Sequence, residues 1–199
     1  MKKKIGILGG TFDPPHFGHL LIADQVREAC QLEKILFMPT NVPPHKEGSY
    51  LVSNEDRIAM IEKAIETNPY FELSLEEIER KGRSYTIDTI KSLKQKQPDV
   101  DVYFIIGGDM VEYLPKWKDI DELLTLVTFV GVNRPGHEAT SPYREQLMMI
   151  EAPQLEISSS EIRSRLLERR TIRYLLPEVV FQHIKEHKLY GEGNCVTNC

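Results

Sequence analysis

The run Gly9-Gly10-Thr11-Phe12-Asp13-Pro14-Pro15-His16-Phe17-Gly18-His19 limits what this chain can fold into more than any other stretch. It is entered from the apolar segment Ile5 to Leu8. It is left through a helical pattern, Phe17 to about Gln31, with Ile22, Ala23, Val26, Ala29 and Cys30 on one face. An apolar strand that breaks at paired glycines and resumes as an amphipathic helix is how a parallel α/β sheet offers backbone N–H groups to phosphate. The next apolar run, Lys34 to Met38, is nearly continuous, as suits a strand buried on both faces. Strand, helix and strand in that order make a right-handed crossover. The expected fold class is therefore α/β: a Rossmann-like, doubly wound, mostly parallel sheet flanked by helices in a single domain.

The loop is not one of the usual phosphate binders. No Gly-Lys-Ser/Thr follows the glycines, and the G-x-G-x-x-G spacing is absent. Instead it carries two imidazoles, His16 and His19, separated by Gly18. Three apart on a first helical turn, they share a face and can lean over one anion, while free N–H groups and the helix dipole attract it from below. Half of a metal site and a pair of structural histidines are the other readings of the same spacing. Two imidazoles need further ligands, and no Cys/His pair follows downstream.

Size and charge narrow the function classes. A chain of 199 residues suits one domain, here residues 1–191 with a polar tail, 192–199, expected to fray. The net charge of −5 argues against a general nucleic-acid binder, so any phosphate affinity must be local. No apolar run approaches the roughly 18 residues of a membrane span. The basic start, Lys2 to Lys4, is followed by too short an apolar stretch for a secretion signal. A cytoplasmic protein with no membrane partner is expected. Cys30 reads as a small buried hydrophobe, and Cys195 and Cys199 in the tail receive no role. The oligomeric state stays open, a homodimer included.

Further along, several residues carry both a bland and a functional reading. Lys46, in the loop Pro43-Pro44-His45-Lys46, is either a solvated lysine or a mobile cation for a substrate phosphate. Ser53 and Asp56 read as a capping pair for a helix to about Thr67, and Phe71, Leu73 and Leu75 alternate as a strand would. Ser84-Tyr85-Thr86 opens a helix over Ile87 to Lys96, as caps or as an N–H cradle for a carboxylate. A strand from Val102 to Ile106 ends in Gly107-Gly108-Asp109, where the acid either caps a turn or accepts ribose hydroxyls. Trp117, the only tryptophan, is core or a stacking platform. A helix over Ile120 to Leu124 precedes a strand from Val127 to Val132, which ends near Arg134, a surface residue or a nucleotide contact. Leu147 to Ala152 and Leu155 to Ile157 read as short strands. The segment Ile157-Ser158-Ser159-Ser160-Glu161-Ile162-Arg163 sets hydroxyls and N–H groups at a helix start, with Arg163 a turn later. A last helix runs from Pro177 to about Lys188.

Two of these segments resemble signatures of the nucleotidylyltransferase superfamily. Gly9 to His19 matches T/S-F-D-P-x-H-x-G-H, and Ile157 to Arg163 matches I-S-S-x-x-I-R. Ser84-Tyr85-Thr86, Gly107 to Met110, Leu114-Pro115-Lys116-Trp117 and the Leu189-Tyr190 end are similar to the bacterial nicotinate-nucleotide adenylyltransferase family. The resemblance implies transfer of AMP from ATP to nicotinate mononucleotide, giving deamido-NAD and pyrophosphate within NAD biosynthesis. It implies Mg²⁺ bridging phosphate oxygens, with few or no fixed protein ligands. Catalytic roles fall on His16, His19 and Arg163. ATP contacts fall on Gly9, Gly10, Thr11, Phe12, Gly107, Asp109, Arg134, Ile157, Ser158 and Ser159. The nicotinate nucleotide falls to Lys46, Ser84, Tyr85, Thr86 and Trp117. Phosphopantetheine adenylyltransferases share both signatures but lack the L-P-x-W segment, and a nucleotide sensor without turnover is the more distant competitor.

Overall fold

The computed structural model describes residues 2–41, 52–133, 140–153 and 155–191. Lys46, Arg134 and the tail with Cys195 and Cys199 lie outside the described residues. The first apolar run forms β1 (Lys3–Gly10), and the amphipathic stretch after the glycines forms α1 (Phe17–Ala29). Next come β2 (Lys34–Pro39), α2 (Asn54–Ile65) and the short strand β3 (Phe71–Leu73). Two helices, α3 (Glu76–Arg80) and α4 (Thr86–Lys96), lead into β4 (Val100–Gly107). After β4 the chain forms α5 (Gly108–Tyr113), a 3₁₀ turn over Leu114–Lys116 and α6 (Ile120–Leu126). The rest is β5 (Thr128–Asn133), β6 (Met148–Glu151), α7 (Ser159–Leu167) and α8 (Glu178–Glu186).

The strands pair in the order β3-β2-β1-β4-β5-β6, and every pairing is parallel. The sheet is thus fully parallel among the described residues rather than mostly so. From β1 the chain winds outward to β3, then crosses back to β4 and winds the other way. The order therefore reverses between β1 and β4, which opens a crevice at their carboxyl ends. Gly9-Gly10 and Gly107 stand at that rim.

Alternate residues of each strand feed opposite faces. Ile7, Met38 and Phe104 pack beneath α4, α5 and α6 with Ile90, Val111 and Leu123. Leu8, Phe37 and Ile105 join Val26 of α1 and Ile61 of α2 on the other face. Burial on both faces is why these strands read as continuous apolar runs. A third cluster joins α2, α7 and α8 through Met60, Ile162, Val180, Phe181 and Ile184.

Three local features depart from the sequence reading. The helices α3 and α5 form where none was expected, and the Leu155–Ile157 strand does not form. The Ile157 N–H instead bonds the Leu155 carbonyl at 2.7 Å, a tight bend that turns the chain into α7. Ser53 does cap α2, accepting from the Asp56 N–H at 3.0 Å. Among the described residues no helix is long and apolar enough to cross a membrane.

Candidate active site

The loop after β1 places the two histidines at the start of α1, with His16 as its N-cap. The His16 N–H donates to His19 Nδ1 at 3.2 Å, so a neutral His19 keeps its proton on Nε2. The two rings stack, with centroids 3.7 Å apart, and Phe12 meets His19 edge-on at 4.9 Å. Gly18 makes this packing possible: a Cβ there would lie 3.0 Å from His16 Nδ1. Burial lowers the His16 pKa to about 4. Burial, helped by the adjacent His16, holds His19 well below the ordinary histidine value. Both rings are therefore neutral hydrogen-bonding groups near pH 7, and a polyphosphate beside them would raise both pKa values. Among the described residues His16 Nδ1 is buried without a partner.

The serine-arginine segment docks directly on this loop. Ser158 caps α7 by accepting from the Glu161 N–H at 3.1 Å. Ser159 Oγ donates to the Pro14 carbonyl at 2.8 Å. Arg163 donates to the Asp13 carbonyl at 2.7 Å and to Ser160 Oγ at 3.2 Å, and its guanidinium lies 3.7 Å from the Asp13 carboxylate. The Ile157 carbonyl would sit 3.8 Å from a Cβ on Gly18. The hydroxyls of Ser158 and Ser159 are thus engaged within the protein, and what this helix end presents is the backbone N–H groups of its first turn.

Across the crevice, Ser84 is buried and structural in its contacts. It accepts from the Asn41 N–H at 2.9 Å and hydrogen-bonds Glu77. Tyr85, not Ser84 or Thr86, is the N-cap of α4, and it has no side-chain cap bond. Thr86 is the first helical residue. Lys118 sits over the Tyr85 ring at 4.8 Å, which places the start of α4 beside the Trp117 segment. Trp117 is half-buried and meets Phe104 and Phe129 edge-on at 5.8 and 5.9 Å. Its indole N–H has no partner among the described residues. Gly107 faces open space, and Asp109 is exposed in the first turn of α5.

A model of the cytidylyltransferase-like family matches residues 7–165. A relative from Bacillus cytotoxicus, named probable nicotinate-nucleotide adenylyltransferase, is 54% identical over 188 residues, covering 94% of this chain and 98% of its own. The chain belongs to the nicotinate-nucleotide adenylyltransferase family. A relative of the same name from Geobacillus thermodenitrificans is 52% identical over 98% of this chain and 90% of its own. The solved Plasmodium falciparum nicotinic acid mononucleotide adenylyltransferase complexed with NaAD shares the fold, with a TM-score of 0.77 at 24% identity, covering 94% of this chain and 97% of that one.

In this member of the adenylyltransferase family the loop rests on Arg57, which the sequence did not mark, and on Tyr190, which it marked only as part of the Leu189-Tyr190 end and without a role. Arg57 is fully buried and donates to the Thr11 carbonyl at 2.8 Å, the Thr40 carbonyl at 2.7 Å and Asn54 Oδ1 at 2.5 Å. Tyr190 donates its hydroxyl to Asp13 Oδ1 at 2.7 Å, while the Val52 N–H reaches the same oxygen at 3.4 Å. Burial, and then the Asp13 charge, push the Tyr190 phenol far above its ordinary value, so it stays a donor. Asn41, which bonds Ser84, also accepts from Asn54 at 3.1 Å, so one polar network runs from the α4 start to the histidine loop. One signal for Arg57 was available: it falls on the same helical stripe as Met60, Ile61 and Ala64.

Proposed function

We propose that this chain transfers the adenylyl group of ATP to nicotinate mononucleotide, releasing pyrophosphate and forming deamido-NAD by direct in-line displacement in the cytoplasm. The observation that carries the reading is the direct contact between the two signature segments, through Ser159 on Pro14 and Arg163 on Asp13. Two helix beginnings from opposite ends of the chain thereby meet at one rim of the sheet. A polyphosphate spanning them would be held at both ends, which is the alignment an in-line attack needs.

The reaction brings two anions together, so the site has to offset charge and orient the attacking oxygen; neither task needs a protein nucleophile. In this reading His19 donates to the α- and β-phosphates as charge grows on the bridging oxygen, and His16 lies beside the triphosphate. Arg163 and the N–H groups at Ser158 and Ser159 receive the leaving pyrophosphate. Gly9, Gly10, Thr11, Phe12, Gly107, Asp109, Arg134 and Ile157 would line the ATP. Lys46 would reach the acceptor's phosphate, and Trp117 its pyridine. Nicotinate is favoured over nicotinamide because a carboxylate suits the N–H groups of α4 near Tyr85 and Thr86, a turn with no side-chain cap.

Enzymes of this kind use a divalent metal, and we assign it as Mg²⁺ arriving on ATP. Asp13, the carboxylate of the first segment, is fully buried and already bonded to Tyr190 and paired with Arg163, so it is no metal ligand. Magnesium's reluctance to shed water fits an ion held by phosphates.

Pyrophosphate release, measured with Mg²⁺, ATP and separate acceptors, tests the reading. Nicotinate mononucleotide should support turnover far better than nicotinamide mononucleotide or phosphopantetheine. His19→Ala should slow it about 10²–10³-fold, the scale for losing one aligned donor. Equal use of the two pyridine nucleotides would remove the nicotinate assignment, and turnover of His19→Ala within about threefold of the parent would remove the role of His19.

A further inference from the structure

Away from the phosphate loop, three side chains converge on a point that the proposed reaction does not use. Asp56 lies in the first turn of α2, and His183 and His187 stand four apart on α8 and its C-cap, so both rings share a face. His183 Nε2 is 3.1 Å and His187 Nδ1 3.4 Å from the same oxygen, Asp56 Oδ1. The rings stack at 4.1 Å, and the three candidate ligand atoms all lie within 4.8 Å of one another. Ser53 donates to the other carboxylate oxygen at 2.8 Å, which fixes the carboxylate and leaves Oδ1 turned to the imidazoles.

The two distances to Asp56 Oδ1, 3.1 and 3.4 Å, are close to the edges of a coordination polyhedron, and a small turn of the exposed His187 ring would close the third. Around a tetrahedral zinc-class ion, with bonds of about 2.0–2.2 Å to nitrogen and oxygen, neighbouring ligand atoms stand about 3.3–3.5 Å apart. We propose that Asp56, His183 and His187 bind one divalent transition-metal ion of the zinc class, leaving a fourth position to water. Two imidazoles and one carboxylate are a donor set suited to such an ion and unlike the all-oxygen shells that magnesium and calcium take. Access is built in, because His183 is buried against the apolar α2–α8 contact while His187 is exposed.

The ion would clip α8 onto α2. These elements brace the loop from both sides: Arg57 follows Asp56 and holds Thr11, and Tyr190, just past α8, holds Asp13. The metal's effect is thus on the stability of the brace, and its test needs no turnover, so its failure is separate from failure of the adenylyl-transfer reading.

The full chain should be used with Cys195→Ser and Cys199→Ser, so that the tail thiols cannot bind zinc, and stripped of metal by chelator. Calorimetric titration with zinc chloride should show one ion per chain, and Co²⁺ should give the visible bands of a tetrahedral site. Zinc at about a hundredfold over Kd should raise the unfolding midpoint by about 5–10 °C. His187→Ala, at an exposed position, and Asp56→Asn should each weaken binding at least about 100-fold, beyond what loss of an outer-shell partner costs. Neither variant should show the cobalt bands or the thermal shift. Absence of binding to the parent, or equal binding by parent and both variants, would overturn the proposal and leave the trio a hydrogen-bonded clasp.

Discussion

Burying two stacked imidazoles costs the fold whenever solution would protonate them. His16 has an ordinary value of 6.5 in the unfolded chain and about 4 in the fold. Between those values the unfolded state binds more protons, so stability rises with pH across the window and is lost as pH falls from 6.5 towards 4. The full shift corresponds to on the order of 3 kcal/mol, and His19 is displaced in the same direction. His16→Asn removes one of these groups, so its unfolding midpoint should fall less steeply than the parent's over that window. Thermal unfolding followed by circular dichroism across the window measures the difference. Parallel declines for parent and variant would mean that His16 is charged in the fold, and would undo the description of the pair as neutral donors. The same burial makes nucleotide binding proton-linked, since an anion over the rings raises their pKa values and draws protons in.

Among the elements, the contact that matters most is α7 against the β1–α1 loop. Ser159→Ala removes the hydroxyl bonded to the buried Pro14 carbonyl and should cost about 1–3 kcal/mol of stability. In the proposed reaction it should also slow pyrophosphate release about 10–100-fold, because the two helix starts would lose their registration with each other. Urea unfolding and the coupled assay read the two effects separately, and unchanged turnover would show that the contact does not align the site. Elements of this kind were legible where periodicity or a local signature marked them. The buried strands read as apolar runs, α1 and α8 carry clear apolar stripes, and Ser53 with Asp56 announced the start of α2. The helix α3 was not legible, because a tertiary contact holds it: Glu77 is buried and takes the Thr89 hydroxyl at 3.0 Å across to α4. The helix α5 is likewise fixed by Val111 in the sheet cluster, which the Gly-Gly-Asp opening conceals. Leu155 and Ile157 mimic the alternation of a strand, but the bend between them sets up the start of α7.

For the molecule as a whole, the two signature segments that meet at the rim were visible in the sequence, and the contacts that brace them were not. Motif spacing is local and visible, whereas a buried charge finds its partners across the chain. Asp13 and Tyr190 are 177 positions apart, and no pattern near either one predicts their bond. Yet the bond bears on both ends of the site, because Asp13 also receives Arg163 on its carbonyl and lies in the loop that Arg57 suspends from Thr11. Asp13 has no exposure to water, so its charge must be balanced inside the protein. Tyr190→Phe keeps the ring and removes the 2.7 Å donor, leaving Asp13 Oδ1 with only the Val52 N–H at 3.4 Å among the described residues. A hydrogen bond to a charged group of this kind is worth about 1.5–3 kcal/mol, which is about 3–12 °C in unfolding midpoint for a chain of this length. If Arg163 holds the leaving pyrophosphate as proposed, turnover should fall with stability, since a loosened Asp13 shifts Arg163. A Tyr190→Phe protein that unfolds within about 0.5 kcal/mol of the parent and keeps full activity would show that the C-terminal segment is not a structural part of the site.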